Sequence, residues 1–200
     1  MTKIIELNAD LINAIDLSEQ KKYIEWNKKN VEYFDLPAGK EHYKLLSYIS
    51  TFLDSANAPP LIDIGTYFGF SASALSYNNS KVISYDVCDW IPDNEYSIKN
   101  NDNIITKIMN CVNDMDIIKD AHFIILDIDP HNGEEERVII KALIDNGFKG
   151  FLLLDDIKLN KDMQDFWDEI TLPKMDVTSV GHWSGTGIVL FSDMYDIVIS

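Results

Sequence analysis

Leu61-Ile-Asp-Ile-Gly-Thr-Tyr-Phe-Gly-Phe-Ser-Ala-Ser-Ala-Leu75 decides the fold of this chain. A short apolar run ends in Asp63-Ile-Gly65, passes a tight turn, and re-emerges through Gly69 into a Ser/Ala-rich helix start. Strand, glycine turn and helix N-terminus in that order let backbone N–H groups approach a nucleoside-bearing ligand. The spacing Gly65-x-x-x-Gly69 is neither the G-x-G-x-x-G dinucleotide fingerprint nor the G-x-x-x-x-G-K-[ST] phosphate loop. With an upstream carboxylate and no Lys, the turn suits a ligand whose nearby part is cationic or zwitterionic rather than a polyphosphate.

Outward from this stretch, apolar runs and helical patterns alternate. Lys81–Val87, Asn103–Met109, Ala121–Asp129 and Gly150–Asp156 read as strands, and Glu134–Asn146 and Lys161–Ile170 as helices. The first of these helices opens on Glu134, Glu135 and Glu136, as the helix dipole prefers, with Val138, Ile139, Ala142 and Leu143 facing inward and Gly147 ending it. Apolar strands separated by helices predict a parallel α/β sheet with helices on both faces. Lys174–Val180 and Gly185–Phe191 are too close for a helical crossover, so that pair is expected to be antiparallel. Residues 1–58 read as a helical N-terminal extension, with a Ser18-capped helix and a second helix over Gly39–Leu53, before Pro59-Pro60. The 200 residues are read as one domain, a helical cap (1–58) on an α/β core (59–200).

Composition narrows the partners. With 33 acidic against 17 basic residues, the net charge of −16 repels phosphate backbones and argues against nucleic acid. No apolar run reaches the length of a membrane span, and no signal-peptide pattern is seen at the N-terminus. Cys88 and Cys111 have neither C-x-x-C nor zinc-site spacing, so a reducing cytoplasm is the simplest setting. A homodimer stays open.

Four expected strands end in acid: Asp63, Asp86, Asp127 with Asp129, and Asp155 with Asp156. Strands avoid Asp, and ligands of open α/β sheets sit at the carboxyl ends of the strands. Asp86 lies 21 positions after Gly65, where an acidic residue hydrogen-bonds a ribose hydroxyl, or else caps the next loop. Asp127, Asp155 and Asp156 offer oxygens to one divalent cation such as Mg²⁺, unless one of the last pair merely caps the next helix. Of the histidines, His131 and His182 are candidate general bases, whereas His42 and His122 read as structural or exposed.

These residues resemble the class I S-adenosylmethionine (SAM)-dependent methyltransferases, and within them the catechol and caffeoyl-CoA O-methyltransferase group. Asp63-x-Gly65-x-Tyr67-x-Gly69-Phe70-Ser71-Ala72 is similar to that group's first motif, Leu126-Asp127-Ile-Asp129 to its fourth-strand motif, and Leu154-Asp155-Asp156 to its fifth-strand acidic pair. The resemblance implies a Rossmann-like seven-stranded, mostly parallel sheet with an antiparallel last strand. It places SAM over Gly65, Thr66, Tyr67, Gly69, Phe70 and Ser71, flanked by Asp63 and Asp127, with its ribose on Asp86 and its adenine near Asn113 or Asp114. Mg²⁺ would sit on Asp127, Asp155 and Asp156. Where the catechol enzyme carries a catalytic Lys, this chain has Pro130, so His182 or His131 takes the proton beside Asp127. The ending Gly181-His-Trp-Ser-Gly and the stretch Gly39-Lys-Glu-His-Tyr look more like sugar- and natural-product-modifying O-methyltransferases.

The expectation is an O-methyltransferase acting on a hydroxyl of a sugar or glycan first and a phenolic small molecule second, with Trp183, Tyr43 and Tyr67 shaping the acceptor pocket. A metal-independent methyltransferase, a non-catalytic cofactor-binding module and, less favoured, an NAD-dependent enzyme remain as alternatives.

Overall fold

The computed structural model describes residues 2–53 and 58–200. In chain order the elements are β1 (Lys3–Leu7), α1 (Ala9–Asn13), α2 (Ser18–Lys21), α3 (Tyr43–Leu53), β2 (Leu61–Ile64), α4 (Phe70–Leu75), β3 (Val82–Asp86), β4 (Ile104–Ile108) and α5 (Met115–Ile118). They continue with β5 (Phe123–Leu126), α6 (Glu134–Asp145), β6 (Phe151–Asp155), α7 (Lys161–Glu169), β7 (Lys174–Asp176), β8 (Thr186–Leu190) and β9 (Tyr195–Ile199). Seven strands form one sheet in the order β4-β3-β2-β5-β6-β8-β7, and only β8 runs against its neighbours. The expected seven-stranded α/β sheet with a reversed last strand is therefore present. β2, β5 and β6 are buried along their whole length, as strands covered on both faces require.

The parallel register fixes the functional edge. Ile64 pairs with Tyr85 on one side and Leu126 on the other, and Leu126 pairs with Leu154. The next residue along each strand is thus Gly65, Asp86, Asp127 or Asp155, a single row at the carboxyl ends. Strand order reverses between β2 and β5, the point where an open α/β sheet leaves a crevice.

The N-terminal region is less helical than the sequence suggests. Lys3–Leu7 is a strand, paired in parallel with β9 to form a separate two-stranded sheet. It buries Ile5 and Leu7 against the core while Lys3, Ile4 and Glu6 face out. The expected helix from Ser18 stops at Lys21, and it is Asp16, not Ser18, whose side chain accepts at its start: Asp16 Oδ1 takes the Ser18 N–H at 3.0 Å. The chain then proceeds through turns and a 3-10 segment at Val31–Asp35. The second helix begins at Tyr43 rather than Gly39, since Gly39 sits at φ +83°, where a Cβ would stand 2.9 Å from the Ser179 carbonyl oxygen. As expected, it buries Leu45, Leu46, Ile49 and Leu53. Residues 54–57 of the expected cap, and Met1, lie outside the described residues.

In α6, Ile139 and Leu143 are buried, but Val138 is 58% exposed, a correction to its expected inward orientation. Its side chain faces a cavity instead of the core. Among the described residues no helix is long and apolar enough to cross a membrane.

Candidate active site

Gly65 builds the centre of the site. Its φ of +104° is costly for any residue with a Cβ, and a Cβ there would stand 1.6 Å from the Asp127 carbonyl oxygen. The turn therefore brings β2 hard against the end of β5, where the Asp127 N–H also donates to the Ile64 carbonyl at 3.0 Å. Tyr67 follows at φ +40°, and its N–H donates to Asp86 Oδ2 at 2.9 Å. The other Asp86 oxygen accepts the Cys88 N–H at 3.0 Å. Asp86 is thus held at the end of β3, next to the glycine turn, where its carboxylate can reach a ligand hydroxyl.

A cavity of about 740 Å³ opens along this edge, within the usual range for a small-molecule site. Gly65, Tyr67, Asp86, Asp127 and His131 line it, together with Trp90, Cys111, Val112, Asp129, Glu135 and Val138. The wall expected from Asn113 and Asp114 is made by Asn110, Cys111 and Val112 instead. Asp114 is occupied elsewhere: it pairs with Lys107 and accepts the Tyr85 hydroxyl at 2.7 Å. A second cavity, of about 290 Å³, lies on the other side of the turn. Thr66, Phe70 and Ser71 line it with Asn30, Tyr33, Glu41 and Tyr43 from the N-terminal region. Gly65, Tyr67 and Asp127 border both. An elongated ligand can therefore lie across the glycine turn with one end in each hollow.

Asp63 sits under the turn rather than in a cavity wall. It is fully buried, its Oδ2 accepts the Ser84 hydroxyl at 2.5 Å, and its Oδ1 has no hydrogen-bond partner. Burial pushes its carboxyl up to about 6, although the hydroxyls of Ser84 and Ser71 hold it down. Gly69 starts α4 at φ +82° against Ile98, closing the turn.

Beside the first cavity the chain gathers a mixed cluster of carboxylates and imidazoles. Among the described residues, four sets of ligand atoms lie within 4.8 Å of one another: His42 with Asp127 and Asp155; Asp127 with His131 and Asp156; Asp155 with Asp156 and His182; and Glu41 with His42 and His182. The three aspartates expected to bind metal are thus distributed over sets that each contain a histidine. His182 Nδ1 stands 3.2 Å from Asp155 Oδ2 and 2.7 Å from Ser184 Oγ, while Nε2 is 3.7 Å from Glu41. His131 Nε2 is 3.3 Å from Asp129 and 3.5 Å from Asp156.

The charges in this cluster are strongly coupled. Burial, with the Asp155 charge added, raises the Asp127 carboxyl far above its ordinary range. Burial would raise Asp155 as well, yet His42 and His182 beside it hold it well below. Burial alone would lower His182, but hydrogen bonds to Asp155 and Asp156 push it up to about 10, so it is an imidazolium at neutral pH. His182 therefore serves poorly as a resting base, and His131 is the histidine that faces the cavity.

Two further residues take places the sequence leaves open. His42, read as structural or exposed, is buried 3.3 Å from Asp155 at the floor of the cluster. Trp183 is 64% exposed and stacks edge-on against His182, outside both cavities' walls. Trp90, Cys111, Val112 and Glu41 were missed. Trp90 had a signal, an aromatic four residues beyond Asp86, but Glu41 reaches the site only through tertiary packing.

No protein-family model matches the chain, and no curated protein matches it by sequence. Solved structures do. An O-methyltransferase from Bacillus cereus in complex with SAH (S-adenosylhomocysteine) superposes with a TM-score of 0.56 at 13% identity, covering 88% of this chain and 93% of that one. An SAH-bound methyltransferase from Podospora anserina gives 0.58 at 13% identity over 87% of each chain. A methyltransferase from Geobacter sulfurreducens gives 0.57 at 13% identity, covering 88% and 89%. This chain has the same Rossmann-like fold.

Proposed function

We propose that the chain is a SAM-dependent O-methyltransferase acting on a hydroxyl of a small molecule, with a polyhydroxylated sugar or glycan the first candidate and a phenol the second. The observation that carries this reading is the single row of Asp86, Gly65, Asp127 and Asp155, with one cavity on each side of the glycine turn. The adenosyl part fits the larger cavity, its ribose hydroxyls on Asp86 and its base against Cys111, Val112 and Trp90. The amino-acid end fits the smaller cavity, where Glu41 faces its ammonium. The sulfonium then lies at the turn beside Asp127, in a field of buried carboxylates that favours a cation.

The acceptor enters from the side of Asp129 and Glu135, acceptor-only groups that suit hydroxyl donors. Its O–H proton passes to His131 Nε2 while the oxygen takes the methyl carbon and the carbon–sulfur bond breaks, releasing SAH. Positioning alone supplies roughly 7–11 kcal/mol of such a barrier, so the protein's main task is alignment. A divalent ion held by Asp127, Asp155 and Asp156 would acidify and orient the acceptor hydroxyl.

The test is an SAH-release assay over sugar and catechol acceptors, with and without chelator. Turnover on a hydroxylated acceptor supports the reading. Binding of NAD in place of SAH overturns it, and turnover indifferent to chelator removes the metal from it.

A further inference from the structure

We propose that the cluster is a mixed imidazole–carboxylate centre in which His42 is a ligand, and that it selects a first-row transition-metal dication over Mg²⁺. This deepens the methyltransferase reading, although the site's ligand chemistry can be measured without it.

His42 carries the argument. It is 2% exposed, and both of its ring nitrogens are buried without a hydrogen-bond partner. Buried imidazoles normally satisfy at least one nitrogen, and leaving both unmatched is costly. Asp155 lies 3.3 Å from its Nδ1 but out of line for a hydrogen bond, and Tyr43 and His182 pack against its ring. The same ring contributes to two of the ligand sets, one with Asp127 and Asp155, the other with Glu41 and His182. A buried nitrogen with no in-line hydrogen bond, within 4.8 Å of carboxylate oxygens from two neighbouring strands, is the donor arrangement that a metal ligand requires.

The donor types choose the metal class. Mg²⁺ demands hard oxygen donors in near-ideal octahedral geometry and keeps waters for the rest. Imidazole is a borderline donor that suits Zn²⁺, Fe²⁺ and their neighbours. Here each set of ligand atoms includes a histidine, so an ion sharing Asp127 with Asp155 or Asp156 has a nitrogen within reach. His42 enters because the chain at Gly39–Glu41 turns back before α3, leaving His42 just ahead of the first helical residue, with its carbonyl accepting the Leu46 N–H at 2.9 Å.

The experiment uses metal-stripped, full-length protein titrated with Co²⁺, Mn²⁺ and Mg²⁺ by calorimetry, with nitrogen couplings read by pulsed electron paramagnetic resonance on the Mn²⁺ form. The proposal expects Co²⁺ to bind at least roughly tenfold tighter than Mg²⁺, and His42→Gln to weaken Co²⁺ by roughly tenfold or more. It also expects nitrogen couplings on Mn²⁺ that persist in the His131→Ala/His182→Ala variant, where His42 is the cluster's remaining imidazole. Mg²⁺ binding as tightly as Co²⁺, couplings lost in that double variant, or unchanged Co²⁺ affinity in a folded His42→Gln protein each overturn it. Should His42→Gln not fold, the couplings in the double variant decide. SAH affinity is measured alongside, so failure of the methyltransferase reading leaves this outcome separately legible.

Discussion

Asp63 offers a perturbation whose size can be worked out from its surroundings. The carboxyl is fully buried, keeps one oxygen without a partner, and titrates at about 6 instead of 3.8. The folded protein therefore holds this proton over a pH range in which the unfolded chain has lost it. Stability from this group is full below about pH 4, falls as pH rises through the window from 3.8 to about 6, and stays reduced above it. A gap of that width is worth about 3 kcal/mol. Asp63→Asn keeps the shape and an oxygen that can accept the Ser84 hydroxyl, but has no charge to bury. Urea unfolding of both proteins from pH 3 to 8 should then show the variant gaining about 3 kcal/mol relative to wild type as pH rises to 7, with no further change. Taking the difference between the two proteins cancels the distant carboxylates, while Asp86, Asp127 and His42 respond to the loss of the Asp63 charge. A difference that is flat with pH, or that favours wild type at pH 7 more than at pH 4, would refute the claim that Asp63 is buried at an electrostatic cost beneath the ligand turn.

Gly65→Ala should lower Tm by about 5 °C or more and abolish SAH binding, because its Cβ meets the Asp127 carbonyl at 1.6 Å; a calorimetric scan matching wild type would contradict the turn geometry. For Asp86→Ala, a folded protein with SAH affinity reduced roughly tenfold or more is expected, checked by isothermal titration. His131→Ala should cut kcat by about 10² or more while leaving SAH affinity within about twofold, and a wild-type rate would remove His131 as the base. Metal removal is covered by the titrations proposed for the His42 centre.

Local pattern made the sheet legible and left the N-terminal region obscure. Leu61–Ile64, Phe123–Leu126 and Phe151–Asp155 announce themselves as continuous apolar runs, since both faces of each strand are covered. Their parallel pairing follows from the helices between them, and with it the row of Asp86, Asp127 and Asp155. By contrast, Lys3–Leu7 is a five-residue strand whose partner, Tyr195–Ile199, lies at the other end of the chain, and nothing local marks that pairing. The stretch after Ser18 has helical spacing, but Asn27-Lys-Lys-Asn30 offers little apolar surface to hold it, and Trp26 instead packs edge-on against Phe68. The place of His42 in the cluster is hidden for the same reason. Its neighbours in sequence, Glu41 and Tyr43, say nothing of Asp155, which reaches it from a strand more than a hundred residues on. The resemblance points to Asn113 or Asp114 for the adenine; the 3-10 turn at Cys111–Asp114 presents Cys111 and Val112 to the cavity instead.

Isothermal titration of the wild-type protein with SAH asks most directly whether the crevice at the β2–β5 switch holds an adenosyl ligand. The account predicts saturable one-to-one binding with Kd at or below roughly 100 µM. No saturable heat at millimolar SAH, from protein that still shows a cooperative thermal transition, would contradict it.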